Sequence, residues 1–260
     1  MKVKLYTHAH NRPDFIPLQL RSFTRFLTDD FEYVVFNNAA TESDDREIRE
    51  TCARVGVECI DVEERNHLTV NCSHASAVQW SFHQYLKYET ECIAAILDSD
   101  MFMISDFSLN DYLDGYDLAG VSQSRGHVYY LTNDIIFFNM AALPDKDAMN
   151  FMCDKIEGFH VDVGGDLYYW LKNNPSLRIR HIKSTGQIWS GKSNLQLLPE
   201  AILKDYDDDY KFSIVENAFL HYGRGSNWDR KSEEYHRNKT ATLIKFLELC
   251  REKPYSGYIC

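Results

Sequence analysis

Asp98 and Asp100 stand one residue apart, directly after the apolar run Cys92–Leu97, and apolar residues resume at Met101 and Phe102. A carboxylate in apolar surroundings is costly unless something compensates it. The pair therefore either emerges into water at a turn or holds a cation. Two carboxylates this close repel unless a cation or a shared proton relieves them, and a hard divalent ion with oxygen ligands is the economical solution. In extended backbone the i, i+2 spacing gives both side chains similar directions, with Ser99 pointing elsewhere.

A second group lies late in the chain, His221-Tyr-Gly-Arg-Gly-Ser-Asn-Trp228. Gly223 and Gly225 let backbone approach a ligand closely, and their amides suit phosphate oxygens. Arg224 between them is a forked cation fitted to phosphate. His221 is the type of residue that completes a metal shell begun by two aspartates. Alone, the segment also reads as a turn with a packed His and Trp. Together with Asp98 and Asp100 it supplies the parts needed to hold a metal–diphosphate complex. Asp166 follows Gly164-Gly165 and precedes an apolar helix, as an N-cap or as a carboxylate serving as base or hydroxyl acceptor. His160 and Asp162 are weaker candidates beside it.

The elements that must position these groups alternate over the first hundred residues. Residues 3–8, 31–37, 57–62 and 92–97 read as strands, and 17–28, 47–55 and 74–88 as helices, the last capped by Asn71 or Ser73. The fourth strand is apolar on both faces and belongs in the centre of a parallel sheet. This β-α order predicts an α/β protein with an N-terminal doubly wound, Rossmann-like, mostly parallel sheet. Ligands of such sheets sit beyond the carboxyl ends of the strands, which is where Asp98 and Asp100 fall. The second half predicts a mixed extension, with strands at 116–121, 127–131, 134–140 and 178–183. No linker, repeat or low-complexity tract interrupts the chain, so residues 1–260 are expected to form a single domain. Within it, 1–100 would be the nucleotide-binding half and 101–260 the acceptor half with the metal/diphosphate loop.

The arrangement resembles nucleotide-sugar-dependent glycosyltransferases of the GT-A fold and D-x-D type, of the bacterial or viral cytosolic kind. Asp98-Ser99-Asp100 matches their signature at the end of a strand after a βαβ region. The segment from His221 to Trp228 looks like a variant of the H-x-x-G-x-x-K-P-W motif of some retaining members, with Asn227 before the Trp and a shorter spacing. The resemblance implies a single GT-A-like domain, and transfer of a sugar from a nucleoside-diphosphate sugar, a UDP-sugar first, to a saccharide or lipid-linked saccharide acceptor. It implies Mn2+ or Mg2+ bound by Asp100 and closed by His221, with Asp98 on the ion or the ribose. It also implies base and pyrophosphate contacts from Thr7, His8 and Arg12 at the first strand end, with Asn37 and Asn38 similarly placed. Asp166 would face the donor sugar or acceptor hydroxyl. An inverting enzyme needs such a base and a retaining one does not, so the stereochemistry stays open.

Composition bounds the alternatives. With 39 acidic against 28 basic residues and a net charge of -11, a nucleic-acid partner is disfavoured, because phosphate neutralisation needs a basic face. Seven cysteines without a C-x-x-C pair suggest reduced thiols, and no stretch has the length of a signal peptide or membrane span, so a cytoplasmic protein is expected. Two rivals remain: an aspartyl-phosphate phosphatase, whose D-x-D normally follows an early strand, and a non-catalytic carbohydrate-binding domain. The acidic run 205–210 lacks the glycine and closing glutamate of an EF-hand and reads as a solvated loop. His8-x-His10 reads as local structure rather than a zinc site.

Overall fold

A computed structural model describes residues 1–63, 69–184, 199–204, 207, 209–225, 231–252 and 254–255. Its strands are β1 (Lys2–Ala9), β2 (Phe31–Asn37), β3 (Glu58–Asp61), β4 (Cys92–Leu97), β5 (Met101–Met103), β6 (Leu118–Arg125), β7 (Val128–Asn139), β8 (Lys155–Ile156), β9 (Phe159–His160), β10 (Ile179–His181), β11 (Ser213–Val215) and β12 (Phe219–His221). Its helices are α1 (Phe15–Phe26), α2 (Glu42–Val55), α3 (Val70–Gln84), α4 (Leu109–Tyr112), α5 (Leu167–Asn173), α6 (Glu200–Leu203) and α7 (Glu233–Glu252). The chain forms two compact units. The first comprises residues 1–16, 29–99 and 108–182, and the second residues 17–28, 100–107 and 183–260.

The first unit is an α/β structure around a seven-stranded sheet in the order β10-β6-β7-β4-β1-β2-β3. Only β7 runs against its neighbours; the other pairings are parallel. The expected mostly parallel sheet with a mixed extension is therefore present. β4 is fully buried and sits in the middle, with β1 parallel on one side and β7 antiparallel on the other. Its two apolar faces have the predicted cause: residues 92, 94 and 96 join a core with Phe82 and Trp80 of α3 and Trp170 of α5, while Ile93, Ala95 and Leu97 are equally buried.

Three expectations change. The helix read from 47 begins at Glu42, because Thr41 caps it by accepting the Asp44 N–H; its end at Val55, before Gly56 at φ 71, is as expected. The cap of α3 is Thr69, which accepts the Cys72 N–H, rather than Asn71 or Ser73. The strands read at 127–131 and 134–140 merge into one, β7, which pairs with β4 and β6; where its register with β6 shifts between Gly120 and Ser122, residues 132–135 of β7 are the extra ones.

The second unit holds an antiparallel sheet in the order β11-β12-β5. β5 is an edge strand whose open side is satisfied by side chains of α1: Gln19 Nε2 donates to the Met101 carbonyl at 2.9 Å, and Ser22 Oγ accepts the Met103 N–H at 3.1 Å. The long helix α7 contributes buried Leu243, Phe246 and Cys250. Among the described residues, no helix is long and apolar enough to cross a membrane, and six cysteines carry free thiols.

Gly164 is a packing glycine. Its φ is +85, and a Cβ there would lie 2.4 Å from the Leu131 carbonyl oxygen and 2.6 Å from Asn133 Oδ1. Gly115, at φ +77, has nothing within 4 Å of a Cβ. Gly164→Ala is expected to cost about 3 kcal/mol and Gly115→Ala only about 1 kcal/mol, the backbone term alone. Urea unfolding of both variants measures the difference; equal midpoint shifts would contradict it.

Candidate metal and diphosphate site

The geometry around Asp100 follows from the register of two short strands in the second unit. β5 and β12 pair antiparallel with Met101 opposite His221, and the ladder continues one step as the Tyr222 N–H donates to the Asp100 carbonyl at 2.9 Å. Gly223 and Arg224 then both take left-handed backbone, at φ 70 and 60, and fold the chain back. The turn aims the Gly225 N–H at Asp100 Oδ2, 2.9 Å away, while His221 Nε2 lies 3.2 Å from Asp100 Oδ1. Arg224 pays the conformational cost of φ above zero without being a glycine. Its side chain is exposed.

Asp100 is 5% exposed. Burial by itself raises a carboxyl pKa, but the charge and hydrogen bond of His221, the charge of Lys239 and the Gly225 amide outweigh it. The carboxyl is held below its ordinary range and stays ionised. Two ligands at right angles on an ion about 2.1 Å from each lie about 3 Å apart. The 3.2 Å between the Asp100 oxygen and the His221 nitrogen fits that geometry. One carboxylate and one imidazole suit a hard or borderline divalent ion rather than a thiophilic one.

In the first unit, Asp98 closes β4, its N–H donating to the Asp134 carbonyl at 2.9 Å. Ser99 and Asp100 turn the chain, so the shared side-chain direction expected for a continuing strand has no strand to rest on. Asp98 Oδ1 lies 3.3 Å from Nε2 of His74 on α3. The same end of α3 holds Asp162, whose Oδ1 accepts from Asn71 Nδ2 at 3.0 Å and from the Val163 N–H at 2.9 Å. His74 was not singled out from sequence, and Asn71 only as a helix cap. They sit in a helix without acidic or glycine neighbours, and their partners are remote in the chain.

The other strand-end residues are hydrogen-bonded to neighbouring loops and helices. Thr7 Oγ1 donates to the Leu97 carbonyl at 3.1 Å and pins the exit of β4 just before Asp98. His8 is buried, its Nε2 2.7 Å from Ser81 Oγ and its ring stacked 5.2 Å from Phe36, while His10 Nδ1 meets the Asn38 carbonyl at 2.9 Å. Arg12, 2% exposed, gives Nε and Nη2 to Asp14 at 2.9 and 2.6 Å and covers the Phe15 ring at 3.5 Å. Asn37 donates to Asp45 and Asp61 at 2.9 and 3.2 Å, and Asn38 to the hydroxyl and carbonyl of Ser73 at 3.0 and 3.2 Å. These contacts tie β1, β2 and α3 together at the end of the sheet where Asp98 emerges.

Asp166 starts α5, but its side chain makes no capping bond. It accepts from Asn150 Nδ2 at 3.1 Å, and burial together with the charge of Asp154 raises its pKa above the ordinary carboxyl value. His160 is exposed on β9. Ser226, Asn227 and Trp228 of the late motif, and residues 205, 206 and 208 of the acidic run, lie outside the described residues.

No protein-family model matches this chain. No curated protein matches it either. Solved glycosyltransferase structures do resemble it. S. aureus TarS 1-349 in complex with UDP shares 16% identity over 58% of this chain and 50% of that one, with a TM-score of 0.39. The mannosyltransferase PcManGT from Pyrobaculum calidifontis, in complex with GDP-Man and Mn2+, shares 11% identity over 69% of this chain and 54% of that one, at 0.40. The galactosyltransferase LgtC, in complex with donor and acceptor sugar analogs, shares 13% identity over 98% of this chain and 97% of that one, at 0.47. The chain thus spans about half the length of the TarS fragment and of PcManGT. At these scores the likenesses assign no chemistry to this chain. Its Asp98-Ser99-Asp100 does fit a D-x-D pattern.

The burial of His8 has a pH consequence. Desolvation, with the nearby His74 charge second, holds its pKa well below 6.5. The folded state keeps His8 neutral while the unfolded chain takes up a proton below about pH 6.5. The stability this provides is complete above that pH and is lost as pH falls toward the folded value. His8→Asn should flatten the acid limb of a stability–pH profile by up to about 1.4 kcal/mol per pH unit. Parallel profiles for the two proteins would refute the assignment.

Proposed function

We propose that this chain is a divalent-metal-dependent glycosyltransferase that moves a hexose from a nucleoside-diphosphate sugar, a UDP-sugar first, to a saccharide hydroxyl. The observation that carries the reading is the Asp100–His221 pair, held at ligand spacing by a strand register and a turn that also presents Arg224. Asp98, the first residue of the D-x-D, is assigned to the ion or to the donor ribose by the resemblance. Mn2+ or Mg2+ bound there would supply Lewis-acid stabilisation of the departing diphosphate.

The chain's own residues do the rest. Asp100 and His221 orient the donor's diphosphate through their fixed positions, and Arg224 meets its phosphate oxygens with a planar, two-pronged donor set. Arg224 is suited to that role by exposure, whereas Arg12 is already committed to Asp14. The raised pKa of Asp166 makes it the better of the carboxylates as an acceptor of the incoming hydroxyl's proton, the step an inverting reaction requires. The Gly225 N–H is occupied by Asp100, so its part is to hold the ion ligand, with phosphate contacts left to Arg224.

A panel of nucleotide sugars with Mn2+ tests the reading by thermal shift and product detection. One donor should raise the melting temperature in an Mn2+-dependent way and be turned over. Asp100→Ala and His221→Ala should each lower transfer by about a hundredfold or more, a loss in the range of removed electrostatic stabilisation, with the unfolding transition kept. Full activity in Asp100→Ala, or no shift with any nucleotide sugar or nucleoside diphosphate, would sink it. A shift with free sugars alone would favour a carbohydrate-binding domain.

A further inference from the structure

Lys239, on the second turn of α7, is 1% exposed. A lysine so buried needs compensation or it loses its charge. Its ammonium donates to the Gly223 carbonyl at 2.7 Å. It also lies 3.9 Å from the centroid of the Tyr222 ring, with the rings of Phe212 and Tyr235 at 5.6 and 6.0 Å. The electron-rich ring faces and the carbonyl oxygen stabilise the cation where water cannot.

The location matters because Gly223 belongs to the turn that grips Asp100. Tyr222, whose face Lys239 covers, donates its N–H to the Asp100 carbonyl, and Gly225 donates to Asp100 Oδ2. A buried positive charge is thus fixed to the backbone of the turn that holds the carboxylate which, under the proposed function, binds a divalent ion. In a site of reduced dielectric such a charge repels an incoming cation more strongly than it would in water. A diphosphate arriving with the ion brings enough negative charge to cancel that repulsion.

We propose that Lys239 is a fixed cation beside the ion site: it weakens the binding of a divalent ion alone and makes ion binding depend on an anionic diphosphate. The coupling is reciprocal, so the diphosphate also binds better with the ion present. Lys239 touches neither ligand and is a positioning residue that acts through Asp100. The proposal rests on the reading of Asp100 and His221 as ion ligands.

Titration of the full chain with Mn2+, followed by loss of the free-ion EPR signal with and without UDP, tests it. The wild type should bind Mn2+ about tenfold or more tighter with UDP than without, a coupling of ordinary allosteric size. Lys239→Gln removes the charge but keeps a donor for Gly223, and should bind Mn2+ alone about tenfold tighter than wild type while losing most of the coupling. Lys239→Arg keeps the charge and should behave as wild type. A residue that merely props the turn would weaken Mn2+ binding when replaced, so equal or weaker binding in a folded Lys239→Gln overturns the proposal. Should that variant not fold, the other two proteins decide. Coupling present in wild type and retained in Lys239→Arg supports the proposal, and Mn2+ binding indifferent to UDP overturns it. Failure of the wild type to bind either Mn2+ or UDP counts instead against the glycosyltransferase reading.

Discussion

The pairing of β5 with β12 is the constraint on which the candidate site depends. A buried carboxylate must be compensated, and Asp100 is compensated on every side by that pairing and the turn that follows it. Its carbonyl takes the Tyr222 N–H, one carboxylate oxygen takes the Gly225 N–H, and the other faces His221. A slip of one residue in the ladder would send His221 to the opposite face and leave Asp100 facing Leu220 or Tyr222. The edge of β5 away from β12 is equally occupied, by Gln19 and Ser22 of α1. The strand that carries Asp100 out of its turn is therefore held from both sides.

The polar residues at the ends of β1 and β2 carry structural hydrogen bonds at the end of the sheet. Strand ends in an open α/β sheet are where ligands bind, and polar residues there invite assignment to a ligand. Here Thr7 bonds the Leu97 carbonyl of β4, Asn37 bonds Asp45 of α2, His8 and Asn38 bond Ser81 and Ser73 of α3, and Arg12 bonds Asp14. Irregular backbone at a sheet edge has to be satisfied before it can present anything. The network does that around the point where Asp98 leaves β4, and His74 reaches Asp98 from the same helix.

Much of the fold was legible in the residue pattern. The apolar run 92–97 was recognisable as a strand buried on both faces, and 31–37 as a strand with its bounds intact. The end of α2 at Gly56 was legible, but its start at Glu42 was missed because its first turns are acidic and carry no apolar stripe until Ile48; the signal for the start lay in the capping residue Thr41. The unbroken course of β7 was missed because Thr132, Asn133 and Asp134 resemble turn residues. These residues fall between the two stretches of β7 that pair with β6 and before the stretch that pairs with β4, so they form an irregularity that the flanking ladders carry the strand across.

By itself the sequence determined the alternation of strands and helices, the placement of Asp98 and Asp100 at the end of a buried strand, and the concentration of His221, Gly223, Arg224 and Gly225 in one late segment. Those are local properties, written in periodicity, charge and glycine content over a few residues. Only the tertiary structure decided which of the candidates meet. It paired Asp100 with His221, gave Arg12 to Asp14 while leaving Arg224 exposed, brought His74 to Asp98, and buried Lys239 against the Gly223 carbonyl. The physical reason is that ladder register and the satisfaction of buried charge are long-range conditions. They are met by residues far apart in the chain, whose spacing along it carries no trace of the partnership.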